Sequence, residues 1–205
     1  MQRRTILLAT AASGLGGCSL WPQAAADEPT LHLLDARAQV AAAAPRDIVL
    51  AVSAPRAAAG IDTPAMLYLR KGHAIEHYAT HRWADTPARM LAPLLVRALE
   101  DTRAFRAVVA AGDGVPAALR LDTEIVQLRQ SFLAGPSRAE LTLRAQLIDA
   151  AARRVIATRY VEAAQPAASD DAPGGVAAAN AATAAALAQL AAWCVEASAA
   201  VGARP

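Results

Sequence analysis

The sequence predicts an α+β protein, a two-layer sandwich in which a mixed or antiparallel sheet carries two long helices packed on one face. Three observations lead to this prediction. Several segments alternate apolar and polar residues at period two, which is typical of half-buried strands. One segment in the middle of the chain and one at its end place apolar residues at helical spacing. Strands combined with two such helices bury their apolar faces when both helices cover one face of the sheet.

The first part of the chain predicts two strands and a hairpin. Thr30–Leu34 and Ile48–Val52 are short apolar runs, and in the second run the large apolar side chains recur at every other position. Met66–Leu69 and Ile75–Tyr78 flank Lys71-Gly72, a pair of residues suited to a tight turn. We therefore expect an antiparallel hairpin around this turn.

Two helices are predicted. Thr86-Pro87 supplies an N-cap residue followed by proline at the first helical position, and this helix should end near Arg103. The second helix is expected over residues 176–200, after Gln165–Gly175, whose composition predicts a loop. The apolar stripes are Leu91, Leu94, Leu95, Ala98 and Leu99 in the first helix, and Leu187, Leu190, Cys194 and Val201 with Trp193 beside them in the second.

The strands between the two helices predict a meander. Phe105–Val109 can form a short strand. Apolar and polar residues alternate from Leu119 to Ile125, and the parity then changes at Val126, which predicts a β-bulge. Further strands are expected over residues 141–147 and 155–161.

Composition excludes several classes of protein. Of the 205 residues, 55% are hydrophobic, but more than a quarter of the chain is alanine, which buries little area. Only residues 5–17 and Gly174–Val195 approach the roughly 20 apolar residues of a spanning helix. The second segment is alanine-rich and contains polar residues, so we interpret it as a helix of a soluble domain. With 20 basic and 18 acidic residues, no cationic surplus points to nucleic acid.

The N-terminus predicts a lipoprotein signal peptide. Arg3-Arg4 is followed by a short apolar run, the pattern of a secretory signal. Leu15-Gly16-Gly17-Cys18 resembles a bacterial lipobox, in which cleavage leaves the cysteine as the new N-terminus and its sulfur carries a diacylglycerol. We therefore predict residues 1–17 as the signal peptide, Cys18 as the lipidation site with diacylglycerol and N-acyl chains, 18–29 as a tether, and 30–205 as one α+β periplasmic domain.

The residues near the lipobox also predict a location. Three acyl chains would make membrane attachment effectively permanent. Ser19, in place of the aspartate that retains such lipoproteins in the inner membrane, indicates the outer membrane. Arg3-Arg4 leaves the twin-arginine route open beside general export. Once Cys18 is acylated, Cys194 has no partner in the oxidising periplasm, and its apolar helical surroundings predict a buried, inert thiol.

The best enzyme signal is a zinc-hydrolase pattern. His73-Ala74-Ile75-Glu76-His77 matches H-x-x-E-H, and His81 extends it at the same spacing. Two histidines four residues apart can share a metal only on a helix, since on a strand they lie about 13 Å apart. Because this segment reads as a hairpin, we interpret the histidines as a stripe along one strand and expect neither a metal nor catalysis.

Four segments beyond the lipobox support a family resemblance. They are Leu31–Leu34, Ile48–Pro55, Gly60–Arg70, whose strand ends in arginine, and His81–Pro87, which is similar to an R-W-A-E-P element opening a first long helix. Together they resemble the ABC-type transport auxiliary lipoproteins, the family that includes the PqiC component of MCE-type lipid transport systems.

The resemblance implies a function and partners. We expect a non-enzymatic lipoprotein on the periplasmic face of the outer membrane, auxiliary to an ABC transporter and an MCE-domain protein that move lipid or another hydrophobic solute between the membranes. No cofactor is expected beyond the lipid on Cys18, and the arrangement allows a homo-oligomer. Two alternatives stay open: a lipoprotein assisting lipopolysaccharide or cell-wall assembly, and a zinc hydrolase using His73, Glu76 and His77.

The candidate partner-binding residues are Tyr68, Arg70, Arg82 and Trp83. Each has a structural alternative. For Arg82-Trp83 it is a strand-to-helix corner in which Trp83 packs beneath Leu91 and Leu95. The functional interpretation is an exposed aromatic anchor for another protein, and Tyr68 and Arg70 have the same two interpretations.

Overall fold

The computed structural model describes residues 28–202, with side chains to residue 199. The predicted signal peptide, the lipidation site Cys18 and all but the last two residues of the predicted tether lie outside these residues. The fold is α+β, as predicted. The elements in chain order are β1 (Thr30–His32), β2 (Arg46–Val52), β3 (Arg56–Ala57), β4 (Ala65–Lys71), β5 (Ala74–Trp83), α1 (Pro87–Asp101), β6 (Phe105–Ala110), β7 (Leu119–Ser131), β8 (Arg138–Asp149), β9 (Arg154–Pro166) and α2 (Ala172–Gly202).

Strand β7 is the centre of one mixed, open sheet. Along one edge, β7 pairs antiparallel with β8 over nearly its whole length, and β8 pairs in the same way with β9. The other edge of β7 is divided among three strands that all run parallel to it. β2 pairs with Leu119–Leu121, β3 with Glu124–Ile125, and β4 with Gln130–Ser131.

This division splits the sheet into a trunk and a wing. β6 pairs parallel with β2 and completes the trunk, which consists of β2, β3, β6, β7, β8 and β9. β5 pairs antiparallel with β4, and β1 pairs parallel with β5, so β4, β5 and β1 form the wing. The predicted β4–β5 hairpin is confirmed, and its turn uses Gly72 at φ +50°.

The β-bulge predicted in β7 is present. The register of β7 against β8 shifts between Ile125 and Gln127, and Val126 is left exposed between them. Before the bulge, the odd-numbered side chains from Leu119 to Ile125 are buried. After it, the buried positions include Leu128 and Gln130, so the bulge keeps the apolar face of the strand toward the core.

Helix α1 starts and packs as its sequence indicates, except for its cap. Pro87 is the first helical residue, and all five residues of the predicted stripe are buried. The Thr86 side chain makes no capping hydrogen bond. Instead, the Asp85 carboxylate accepts a hydrogen bond from the Thr86 backbone N–H at 2.7 Å. After the helix ends, Arg103 adopts φ +55° and turns the chain toward β6.

Helix α2 starts earlier than the composition suggests. Its first residue is Ala172, because Asp171 caps it and accepts a hydrogen bond from the Gly174 N–H at 2.8 Å. β9 likewise extends to Pro166, so much of the predicted loop is structured. Within the described residues α2 is the one helix long and apolar enough to cross a membrane, but it packs against β7, β8 and β9 as a core helix.

The two helices contact each other and share one core with the sheet. Leu95, Leu143, Leu147 and Leu187 are fully buried within it. Only three residues of the predicted first strand, Thr30–His32, lie in the sheet. Residues 33–45 follow without regular secondary structure, and we call this segment the strap. Along the strap Leu34, Ala36 and Ala38 are buried, and Asn180 of α2 hydrogen-bonds the backbone at Leu33 and Asp35.

A pair of leucine truncations tests the packing of α2 on β8. Leu143→Ala should lower the free energy of unfolding by about 2–5 kcal/mol, because it leaves a cavity at a fully buried site. Leu33→Ala removes the same atoms from a side chain that is 60% exposed and should cost less than about 1 kcal/mol. Urea unfolding of both variants gives the comparison, and equal losses would contradict this placement of the core.

Candidate docking surface

The wing carries the strongest candidate site, because the helices leave it largely uncovered. The main helix contacts are with each other and with β3, β6, β7, β8 and β9 of the trunk. Beside the start of α2, the wing and the end of β7 present three aromatic rings, two histidines and an arginine. We call this set the aromatic shelf: Tyr68, Tyr78, Phe132, His32, His81 and Arg70.

The aromatic rings of the shelf pack on one another and hold Arg70. The ring centroids of Tyr68 and Tyr78 are 4.8 Å apart, and Phe132 meets Tyr68 edge-on at 6.0 Å. The Arg70 guanidinium carbon lies 4.5 Å from the Phe132 centroid and 5.2 Å from that of Tyr68. These distances suit cation–π attraction, so the charge stays exposed while its position is restricted.

A chain of hydrogen bonds ties the shelf to the trunk. The Tyr78 hydroxyl donates to Gln130 Oε1 at 2.8 Å, and Gln130 Nε2 donates to Ser137 Oγ at 2.8 Å. The backbone N–H of Ser137 donates to Asp170 Oδ1 at 2.8 Å. This last bond is the main cause that lowers the pKa of Asp170. These hydrogen bonds connect β5, β7, the start of β8 and Asp170, the residue before the α2 cap.

Glycine is required at position 175, where α2 crosses this series of hydrogen bonds. A Cβ atom at Gly175 would collide with the amide of Gln130, which is buried and already bonded on both sides. The absence of a side chain therefore lets α2 lie directly on Gln130. The helix start and the shelf are fixed together at this point.

Two histidines join β1 to β5 at the edge of the shelf. His32 Nε2 and His81 Nδ1 are 2.9 Å apart, so one imidazole donates to the unprotonated nitrogen of the other. Their rings are stacked with centroids 5.2 Å apart. Burial, and secondarily the neighbouring His81, lowers the pKa of His32. The hydrogen bond requires that at least one ring stays neutral.

Tyr68 is also bonded within the hairpin. Its hydroxyl donates to Glu76 Oε2 at 2.9 Å, and this bond is the main cause that raises the pKa of Tyr68. Tyr68 and Glu76 are directly opposite each other in the β4–β5 ladder. Glu76 is therefore engaged by a shelf residue.

The structure separates Trp83 from the other candidate partner-binding residues. Trp83 is 5% exposed and belongs to the core, which matches the strand-to-helix corner and not an exposed anchor. With Met66, Tyr78 and Ala179 it lines a cavity of ≈ 20 Å³, room for one water. Arg82 beside it is exposed, and Tyr68 and Arg70 belong to the shelf.

The H-x-x-E-H segment lacks the helical geometry of a zinc hydrolase. His73 lies in the turn of the hairpin, and Glu76 and His77 lie on β5. Among residues 28–202 no group of three or more metal-ligating side chains converges. Cys194 is fully buried in α2, and burial raises the pKa of its thiol, as expected for an unreactive cysteine.

Comparison with known proteins identifies the family. Residues 30–191 match the family of the ABC-type transport auxiliary lipoprotein component. The chain belongs to this family. The match covers the whole trunk and wing and ends within α2, and the family description is that of a lipoprotein component auxiliary to ABC-type transport.

Solved structures share the fold of this auxiliary lipoprotein. A DUF330 protein from Xanthomonas campestris is 24% identical over 85% of this chain and 100% of its own, with a TM-score of 0.78. An uncharacterized protein is 12% identical over 83% of this chain and 98% of its own, with a TM-score of 0.63. Among curated proteins, none matches the sequence.

Several shelf residues are absent from the candidates that the sequence predicts. Phe132 and Gln130 lie more than fifty residues from their partners on the wing, and no local pattern links them. Tyr78 and His32 fall on predicted strands, but His32 meets His81 only because β1 pairs parallel with β5. The one local signal was Arg70, which follows Tyr68 at the same strand face.

Substituting Gly175 tests the junction between α2 and the shelf. Gly175→Ala should lower the free energy of unfolding by about 1–2 kcal/mol, because the new methyl group displaces Gln130 from its hydrogen bonds. In a Gln130→Ala background the same substitution should be neutral or stabilising, since alanine favours the helix. Urea unfolding of the four proteins completes the cycle, and additive effects would show that the contact is unimportant.

The histidine pair predicts a pH dependence of stability. Because the pKa of His32 is lowered, the folded protein binds this proton more weakly than the unfolded chain does. The stability due to His32 is present above its ordinary value of 6.5 and is lost as pH falls through the lowered pKa. Unfolding measured from about pH 8 to about pH 5 should be less pH-dependent in His32→Gln than in the parent. His77→Gln is the exposed control, and an unchanged slope in His32→Gln would contradict the prediction.

Proposed function

We propose that this protein is a non-enzymatic lipoprotein of the outer membrane, facing the periplasm and auxiliary to an ABC transporter. Its partners are the transporter subunits and an MCE-domain protein, and the cargo is lipid or another hydrophobic solute that moves between the inner and outer membranes. The observation that carries the proposal is the family match over residues 30–191 in a chain whose N-terminus resembles a lipobox. No cofactor is assigned beyond the diacylglycerol and N-acyl chains on Cys18.

The lipid anchor supplies the mechanism. Acylation at Cys18 would hold the domain within a tether's length of the membrane, so a partner that reaches this membrane meets it at a high effective concentration. Each individual contact can then be weak and reversible. Ser19 supports the outer membrane as the place of anchoring.

The aromatic shelf is the surface we assign to the partner. Exposed contact surfaces rich in tyrosine and arginine are typical of protein interfaces. Tyr68 and Arg70 are already ordered by packing, so binding costs little additional side-chain entropy. Arg82 extends the surface along β5. Trp83 contributes from beneath, as the buried support of the corner at the end of β5.

Site-specific photo-crosslinking in cells tests the docking surface. A photoreactive phenylalanine analogue at Tyr68 should capture the MCE-domain protein, because Tyr68 lies at the centre of the shelf. The same analogue at Tyr160, an exposed tyrosine on β9 far from the wing, is the matched control. Equal capture from both positions would contradict the shelf as the docking surface.

The identity of the protein captured from position 68 also distinguishes between the alternative functions. A lipopolysaccharide-assembly protein or a cell-wall synthase would favour that class of function and overturn the transport role. A crosslink between two copies of this chain would reveal a homo-oligomer.

Substitutions at the lipobox test anchoring and location. Cys18→Ser should abolish incorporation of labelled fatty acid, because a hydroxyl cannot form the thioether. Cys194→Ala, at the other cysteine, should leave incorporation unchanged. Ser19→Asp should shift the protein from outer-membrane to inner-membrane fractions on a density gradient. Fatty-acid labelling that persists in Cys18→Ser would contradict the lipidation site.

A further inference from the structure

We infer that one end of the domain, formed by the β4–β5 turn and the β7–β8 turn, lies against the lipid surface of the membrane. We call this end the hairpin pole and define it by Lys71, Ile75 and Leu133. The inference rests on the proposed acylation of Cys18 and adds an orientation to it.

The direction of β1 gives the first argument. β1 runs parallel to β5, with Thr30 opposite His81 and His32 opposite Trp83. Going back along the chain from Thr30 therefore leads toward the start of β5 at Ala74, where the hairpin turn lies. The chain therefore enters β1 from the side of the hairpin pole, and the predicted anchor Cys18 precedes it in the sequence.

The length of that connection gives the second argument. Thr30 is level with His81, seven positions from Ala74, or about 23 Å along a strand. The twelve residues from Cys18 to Thr30 span at most about 40 Å when extended, and about 20 Å on average as a random coil. An acylated Cys18 would thus lie near the level of the hairpin turn, and so would the membrane surface.

The side chains at the hairpin pole suit a lipid interface. Ile75 is 57% exposed next to the hairpin turn, and Leu133 is 51% exposed in the β7–β8 turn. The two turns are adjacent, because the Phe132 N–H donates to the Leu69 carbonyl and Leu69 pairs with Ile75. Two exposed aliphatic side chains on neighbouring turns can enter the boundary between headgroups and acyl chains.

The charge at the tip of the β4–β5 turn suits phosphate headgroups. Lys71 is exposed and forms no salt bridge within residues 28–202. The acidic groups near the shelf accept hydrogen bonds within the domain: Glu76 from Tyr68, Asp170 from Ser137, and Asp171 from the Gly174 N–H. Arg70 is held by the shelf rings, so Lys71 is the cation of this pole that remains available to lipid phosphates.

Fluorescence of the lipidated full-length protein in vesicles of phosphatidylethanolamine and phosphatidylglycerol tests this orientation. An environment-sensitive dye is attached to Ile75→Cys or Leu133→Cys, while buried Cys194 stays unlabelled. The controls are Val115→Cys, 48% exposed in the loop before β7 at the opposite end, and Tyr160→Cys on β9. Dyes at positions 75 and 133 should shift to shorter wavelength and be quenched by brominated lipid, whereas dyes at 115 and 160 should report water.

The outcomes separate the orientation from the anchor. Flotation of the protein with the vesicles reports acylation independently of the dyes. Floating protein whose dyes at 75 and 133 behave like the controls would overturn the orientation and leave the anchor intact. Protein that does not float would overturn both the acylation and the orientation that rests on it. Protection of positions 75 and 133 only when a partner protein is added would assign the pole to that partner instead.

Discussion

The architecture depends on how one edge of β7 is shared. Three parallel strands occupy that edge in succession, and the bulge at Val126 lies between the segment that pairs with β3 and the segment that pairs with β4. A bulge bends a strand and increases its twist. The helices pack on β3, β6, β7, β8 and β9. The β4–β5 hairpin, which pairs with β7 beyond the bulge, is left largely uncovered by them. The division of the sheet into trunk and wing therefore depends on this one edge of β7.

The uncovered wing still has to be stable, and side chains provide this in place of a helix. Aromatic rings that pack on one another cover the strands, and the path from Tyr78 through Gln130 to Ser137 connects them to the start of α2. Such a network is well satisfied, so it restricts the position of the shelf residues. A surface ordered before binding loses little side-chain entropy when a partner docks. In the orientation that we propose, the hairpin pole faces the membrane and the shelf lies on the side of the domain.

Much of the fold could be predicted because the signals are local. The turn at Lys71-Gly72, the stripe of α1 and the change of parity at Val126 each show in a few neighbouring residues. β3 has only two residues and no pattern of its own, and the start of α2 depends on the Asp171 cap inside a segment with the composition of a loop. The shelf could be predicted only in part, since its partners meet through parallel pairing of distant strands. The lipidation of Cys18 stays a prediction, and it rests on the immediate neighbours of that residue.

We propose that the wing is the part of this auxiliary lipoprotein that meets its partner. Hydrogen exchange of the membrane-anchored protein, with and without the MCE-domain protein, tests this most directly. Backbone amides of β4 and β5, from Ala65 to Trp83, should exchange more slowly in the complex, while those of the exposed edge strand β9 should be unchanged. Slower exchange confined to β9 or β6, with β4 and β5 unaffected, would contradict it.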